Sequence, residues 1–117
     1  MARLSTHVLD TSRGQAAAGM RLKLYRFEGG ERMHCATVRT NAEGRTDEPL
    51  LSGGLMAAGE YEITFAAGEY FRGLGVVLPQ PPFFDEIVIR IGIADSSANY
   101  HVPLLVSPYG YSTYRGT

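Results

Sequence analysis

Three histidines, His7, His34 and His101, are the side chains of this sequence best suited to move protons near neutral pH. They stand far apart, with no His-x-His or Cys/His spacing, so zinc ligands would have to come from distant segments. No metal and no cofactor is expected. A lone histidine is more often a hydrogen-bonded structural residue than a catalytic one, and His34 keeps that reading. Arg45 follows Gly44 in a turn. By itself it reads as a solvated turn arginine. Its planar guanidinium could also hold the carbonyl or imide oxygens of a flat polar ligand through paired hydrogen bonds. The oddest stretch is the closing YGYSTYRGT, with three tyrosines and one arginine in nine positions. Chain ends are usually polar and unspecific, so a tyrosine-rich end that reads as strand is expected to dock. Cys35 is the single cysteine, which rules out an internal disulfide and a CxxC pair. In the alternating MHCATV it reads as a half-buried strand thiol rather than a nucleophile. No Ser-His-Asp arrangement is legible.

The elements that must carry these residues are mostly strands. Short runs of period two are separated by Gly, Pro, Asn and Asp, which favours an antiparallel sandwich. The first strand spans about Leu4 to Leu9, with a turn region from Thr11 to Gly19. Met20 to Phe27 places Met20, Leu22 and Leu24 on one face, and Gly29-Gly30 marks a hairpin into Met33 to Thr40. Asn41 to Thr46 is a tight turn in which Gly44 can take positive φ. A loop over Glu48 to Gly59, with room for one very short strand, leads to a strand at Tyr61 to Phe65. Ala66 to Leu74 is the one plausible helix, a short one. Pro79, Pro81 and Pro82 forbid regular structure. Glu86 to Ile93 then aligns Ile87, Ile89, Ile91 and Ile93. Tyr100 to Val106 is a strand, and Tyr111 to Arg115 fits a last short one. Seven or eight strands result, with no repeat and no linker.

Two strands carry an unusual outer face. Leu4, Thr6 and Val8 share one face of the first strand, and Ser5, His7 and Leu9 the other. In the penultimate strand Tyr100, Val102, Leu104 and Val106 oppose His101, Pro103, Leu105 and Ser107. A face mixing one histidine with apolar neighbours suggests a pocket or a subunit interface rather than plain solvated surface.

The whole chain sets the bounds. Its 117 residues fit one domain, 1–117, with one core. A formal net charge of -1 gives no bias toward nucleic acid or an anionic membrane. No apolar stretch nears the roughly 20 residues that span a bilayer. MARLSTHVLD lacks the apolar core and cleavage site of a signal peptide, and the last residues do not match the peroxisomal tripeptide. A cytoplasmic protein is expected, with no nucleic-acid and no membrane partner.

Three segments together resemble a known family. Leu4 to Thr11, LSTHVLDT, is similar to the opening motif of the 5-hydroxyisourate hydrolases. Asn41 to Arg45 resembles their second motif, and Tyr100 to Arg115, YHVPLLVSPYGYSTYR, their third. Tyr114-Arg115-Gly116-Thr117 is similar to the family's closing tetrapeptide, with Thr117 where serine is usual. Ala16 stands where the first turn usually has proline. The resemblance covers essentially the whole chain. Transthyretins share the fold but do not combine the two histidines with this tail.

The resemblance implies an all-β, transthyretin-like sandwich of two four-stranded sheets with one short helix, assembled as a homotetramer, a dimer of dimers. It places His7, Arg45, His101 and Thr117 as catalytic residues in a cleft between dimers, with Tyr114 and Arg115 also contacting substrate. The expected reaction opens 5-hydroxyisourate at its N1–C6 bond, giving 2-oxo-4-hydroxy-4-carboxy-5-ureidoimidazoline in urate degradation. Water would attack directly. One of His7 and His101 would act as general base and the other would orient the water. Arg45 would stabilise the charge developing on the substrate oxygen. The alternatives are a transthyretin-like carrier of a small flat ligand, which the retained histidines, Arg45 and YRGT argue against, and a structural sandwich with a degenerate site.

Overall fold

Alternating side chains bury one face of the strands that begin at Arg3, Arg21, Glu86 and Tyr100, and two sheets close over the result. The computed structural model describes residues 2–117. Met1, at which the expected domain and the leader reading begin, lies outside them. The strands are β1 (Arg3–Asp10), β2 (Gln15–Ala16), β3 (Arg21–Glu28), β4 (Glu31–Arg39), β5 (Leu51–Ser52), β6 (Gly59–Ala66), β7 (Glu86–Ile93), β8 (Tyr100–Ser107) and β9 (Gly110–Thr113). The helix α1 (Ala67–Gly73) follows β6 directly. One sheet runs β4-β3-β6-β7, all antiparallel. The other runs β2-β1-β8-β9, with β5 also pairing β1. Leu4, Val8, Leu104 and Val106 from this second sheet meet Leu22, Leu24, Ile63 and Phe65 from the first, all fully buried.

The expected sandwich and single short helix are what the chain forms, with three refinements. The second sheet has five strands rather than four, because two short segments share the outer edge of β1. β5 pairs with Arg3 and Leu4, and β2 with Leu9 and Asp10. Second, β1 and β8 pair in parallel over seven residues, so the sandwich is not wholly antiparallel. Chain alternation cannot reveal this, since period two is the same for either direction. Third, Cys35 is exposed, not half-buried. Leu24 pairs with Ala36 and Tyr25 with His34, so Cys35 is the extra residue of a bulge on an edge strand. The inserted residue is left unpaired and the strand bends there, which takes the thiol away from the core.

The helix is tied to β1 from below. Asp10 is fully buried. Its carboxylate accepts hydrogen bonds from the Ser12 amide and hydroxyl at 3.0 and 2.6 Å and from the Tyr70 hydroxyl at 2.8 Å. Burial, and then the neighbouring carboxylate, push the Tyr70 phenol above its usual value, so it remains a donor. These bonds hold the end of β1 in place. The site lies on the opposite face.

Candidate active site

The parallel pairing of β1 and β8 brings the two histidine-bearing faces side by side. Ser5 stands opposite His101, and His7 opposite Pro103. The histidines are therefore offset by two residues on neighbouring strands, about 6.6 Å along and about 4.8 Å across. Both point away from the core, as alternation requires, and both are half-buried. Ser5 Oγ and His101 Nδ1 are hydrogen-bonded at 2.8 Å. His7 Nε2 donates to the carbonyl of Glu43 at 2.9 Å, which leaves its Nδ1 as the lone-pair nitrogen of the neutral ring.

Glu43 belongs to the turn that carries Arg45. Asn41 builds that turn. Its Oδ1 accepts the amides of Glu43 and Arg45 at 2.9 and 3.2 Å, and its Nδ2 donates to Asp47 at 3.1 Å. Gly44 takes φ +76°, and a Cβ there would run into the backbone carbonyl of Val8. The Val8 amide donates to the Gly44 carbonyl at 2.8 Å, fastening the turn to β1. Arg45 is exposed, and among the described residues its guanidinium has no hydrogen-bond or ion-pair partner.

The tail does not continue as strand to Arg115. β9 ends at Thr113, and the chain then doubles back so that the Gly116 amide donates to the His101 carbonyl at 2.8 Å. A Cβ on Gly116 would lie 2.7 Å from His101 Cδ2, so only glycine lets the backbone approach the imidazole this closely. Arg115 lies over the Tyr100 ring at 4.2 Å and donates to the Asn99 carbonyl at 3.1 Å. These contacts anchor the tail. His101, Gly116, Thr117, Arg115 and Asn99 line one open depression of about 420 Å³. Tyr114 turns aside. It lines a neighbouring hollow with Ile89, Ile91 and Tyr100 and is mostly exposed. Within one chain, then, His7, Arg45, His101 and Thr117 gather on one face. Arg115 borders that face, and Tyr114 does not join it. His34 lies elsewhere, on β4, bonded to Thr37 Oγ1 at 2.7 Å.

The electrostatics favour a neutral His101. Its pKa lies below the ordinary imidazole value, first because burial penalises the charged ring, then because of the charges of Arg45, His7 and Arg3. A neutral ring is the form that can accept a proton. Among the described residues no three His, Cys, Asp or Glu side chains converge as metal ligands.

Sequence reading missed Ser5, Asn41 and Gly116 as positioning residues. Alternation did put Ser5 on the face of His7. Its partner became visible only with the parallel register.

The chain resembles known proteins over nearly its whole length. A family model described as HIUase/Transthyretin family matches residues 4–116. A 5-hydroxyisourate hydrolase of Mesorhizobium japonicum is 58% identical over 115 residues, which span 98% of this chain and 92% of that protein. The crystal structure of an (S)-allantoin synthase superimposes with a TM-score of 0.93 and 44% identity over 99% of this chain. The chain spans only 44% of that longer protein. Transthyretin from Sparus aurata superimposes with a TM-score of 0.88 at 24% identity, over 99% of this chain and 97% of that one. That last likeness shows the fold alone.

Proposed function

The chain belongs to the HIUase/Transthyretin family, and from that premise we propose that the face shared by β1 and β8 is the active site at which it hydrolyses 5-hydroxyisourate. The activity is that of a hydrolase in urate degradation. The observation that carries the choice of site is the Ser5–His101 hydrogen bond in the parallel register. It orients the His101 imidazole beside His7 and under the tail.

In the proposed mechanism His101 Nδ1–H donates to Ser5 Oγ, which leaves the lone pair on Nε2. That nitrogen takes a proton from water as the water oxygen attacks C6 of the substrate. His7 Nδ1 accepts the water's other hydrogen and orients it. The oxyanion that forms on C6 is met by the Arg45 guanidinium. The intermediate collapses with cleavage of N1–C6, and His101 returns the proton to N1. The new acid at C6 ionises, giving 2-oxo-4-hydroxy-4-carboxy-5-ureidoimidazoline. Thr117 and Arg115 wall the depression beside His101, and Tyr114 reaches substrate only from a neighbouring copy.

We further infer a homotetramer, a dimer of dimers. Support comes from the outer face itself, where Leu9, Leu105 and the histidines stay half-buried in one chain. A cytoplasmic setting suits the exposed free thiol of Cys35. Among the described residues no helix is long and apolar enough to cross a membrane.

The test uses urate and urate oxidase to generate the unstable substrate. Added wild-type protein should accelerate its ultraviolet decay, and His101→Ala and His7→Ala should each lose about 10²-fold or more of that acceleration. No acceleration by the wild type would overturn the assignment.

A further inference from the structure

Hydrolysis of a cyclic amide creates charge. Water adds its oxygen to the acyl carbon, the C–N bond breaks, the nitrogen gains a proton, and the acid formed loses one. The product therefore carries a carboxylate that the substrate lacked. Arg45 and Arg115 already border this face, but the Arg115 guanidinium is taken up by the Tyr100 ring and the Asn99 carbonyl.

Among the described residues, only two arginines have no side-chain partner. Arg21, Arg26, Arg32, Arg39 and Arg90 are each held by a carboxylate. Arg13, Arg72 and Arg115 are held by a hydroxyl or by carbonyl oxygens. The two that remain are Arg45 and Arg3, and they border the same hollow, of about 250 Å³, together with Ser5.

Strand geometry explains the placement. Arg3, Ser5 and His7 occupy alternate positions of β1 and so share a face. The root of Arg3 is fixed, since its amide donates to Asn99 Oδ1 at 3.1 Å and it pairs with Ser52. The Asn99 carbonyl also receives Arg115, so one residue braces both Arg3 and the tail. Asp47 lines the hollow too, with one carboxylate oxygen occupied by Asn41.

We propose that Arg3 is a second substrate-binding guanidinium of this site, placed to receive the acidic oxygens of the substrate and the carboxylate that its opening creates. The inference rests on the hydrolase reading above. A planar guanidinium binds a carboxylate through two parallel hydrogen bonds, and pairing it with Arg45 gives the hollow two such forks. The positive charge of Arg3 also reaches His101 and opposes its protonation, as does that of Arg45, and His7 lies near enough to do so when protonated. Ser5 faces His101 from β1, and Gly116, Arg115 and Thr117 face it from the tail.

The experiment compares wild type, Arg3→Gln and Arg3→Lys in the decay assay across pH, with circular dichroism to confirm folding. Arg3→Gln should raise KM about tenfold while kcat stays within about twofold, the pattern of lost binding rather than lost chemistry. Its acid limb in kcat/KM should move up toward the ordinary imidazole value, because one charge opposing protonation of His101 is gone. Arg3→Lys should keep the wild-type limb and regain part of the affinity. A folded Arg3→Gln with unchanged KM and limb overturns the proposal, as does a loss confined to kcat or an Arg3→Lys limb shifted like that of Arg3→Gln. An inactive wild type would instead defeat the hydrolase reading. An active wild type beside an indifferent Arg3→Gln defeats this inference alone.

Discussion

His101 and His34 are the same side chain in opposite circumstances. His34 sits on an edge strand, exposed, bonded to Thr37 and set edge-on to Tyr25. His101 is half-buried, bonded to Ser5, overlain by Gly116 and surrounded by positive charge. Burial and that charge lower its pKa, so the neutral base survives to more acidic pH than a free imidazole would. Activity carried by neutral His101 should persist as pH falls through about 6.5 and decline only below it. The acid limb of kcat/KM measures this, since it reports the free enzyme. A limb centred above about 6.5 would remove His101 as the base. His34→Ala should leave both rate and limb unchanged, because nothing connects that ring to the face of β1 and β8.

Two connecting segments, rather than the strands themselves, bring the remaining groups to that face, and each depends on one glycine. In the turn before β5, Gly44 takes φ +76° with the Val8 carbonyl where a Cβ would be. Gly44→Ala should therefore cost about 1–3 kcal/mol in backbone strain, visible as a lower urea midpoint. It should also cut activity, since the turn carries Arg45 and the Glu43 carbonyl that holds His7. An unchanged midpoint would show that the turn can yield. Gly116 acts differently. Its backbone is not in the left-handed region, and its constraint is contact with His101. In Gly116→Ala the tail can swing away from the sandwich, so the midpoint should hold while activity falls about 10²-fold from a small misplacement of the reacting groups. Full activity in that variant would mean that the tail does not position them.

At the scale of the whole molecule the proposed active face is open in one chain. Its hollows are open, Tyr114 faces a separate one, and Leu9 and Leu105 flank the histidines without a covering layer. A second copy laid across β1 and β8 would bury these apolar groups, exclude water and bring a second Tyr114 toward the depression. Light scattering at micromolar concentration should give about four times the chain mass of 12.8 kDa. A fully active monomer would rule out a shared site.

Much of this was legible in the residues. Alternation alone assigned Leu4, Val8, Leu104 and Val106 to the core and His7 and His101 to the opposite face, because a strand turns successive side chains to opposite sides. Gly29-Gly30 and Gly44 announced their turns, since few other residues accept positive φ. Motif resemblance supplied the chemistry. What alternation could not supply was strand direction and order. The parallel pairing of β1 with β8, which sets Ser5 on His101, joins residues 96 positions apart, and no local pattern encodes which distant strand will be the neighbour. The bulge that exposes Cys35 and the return of Gly116 to His101 are likewise contacts between separated segments. The same holds for the hollow shared by Arg3 and Arg45. Alternation along each strand decided which side chains face outward; packing of the strands decided which of them meet.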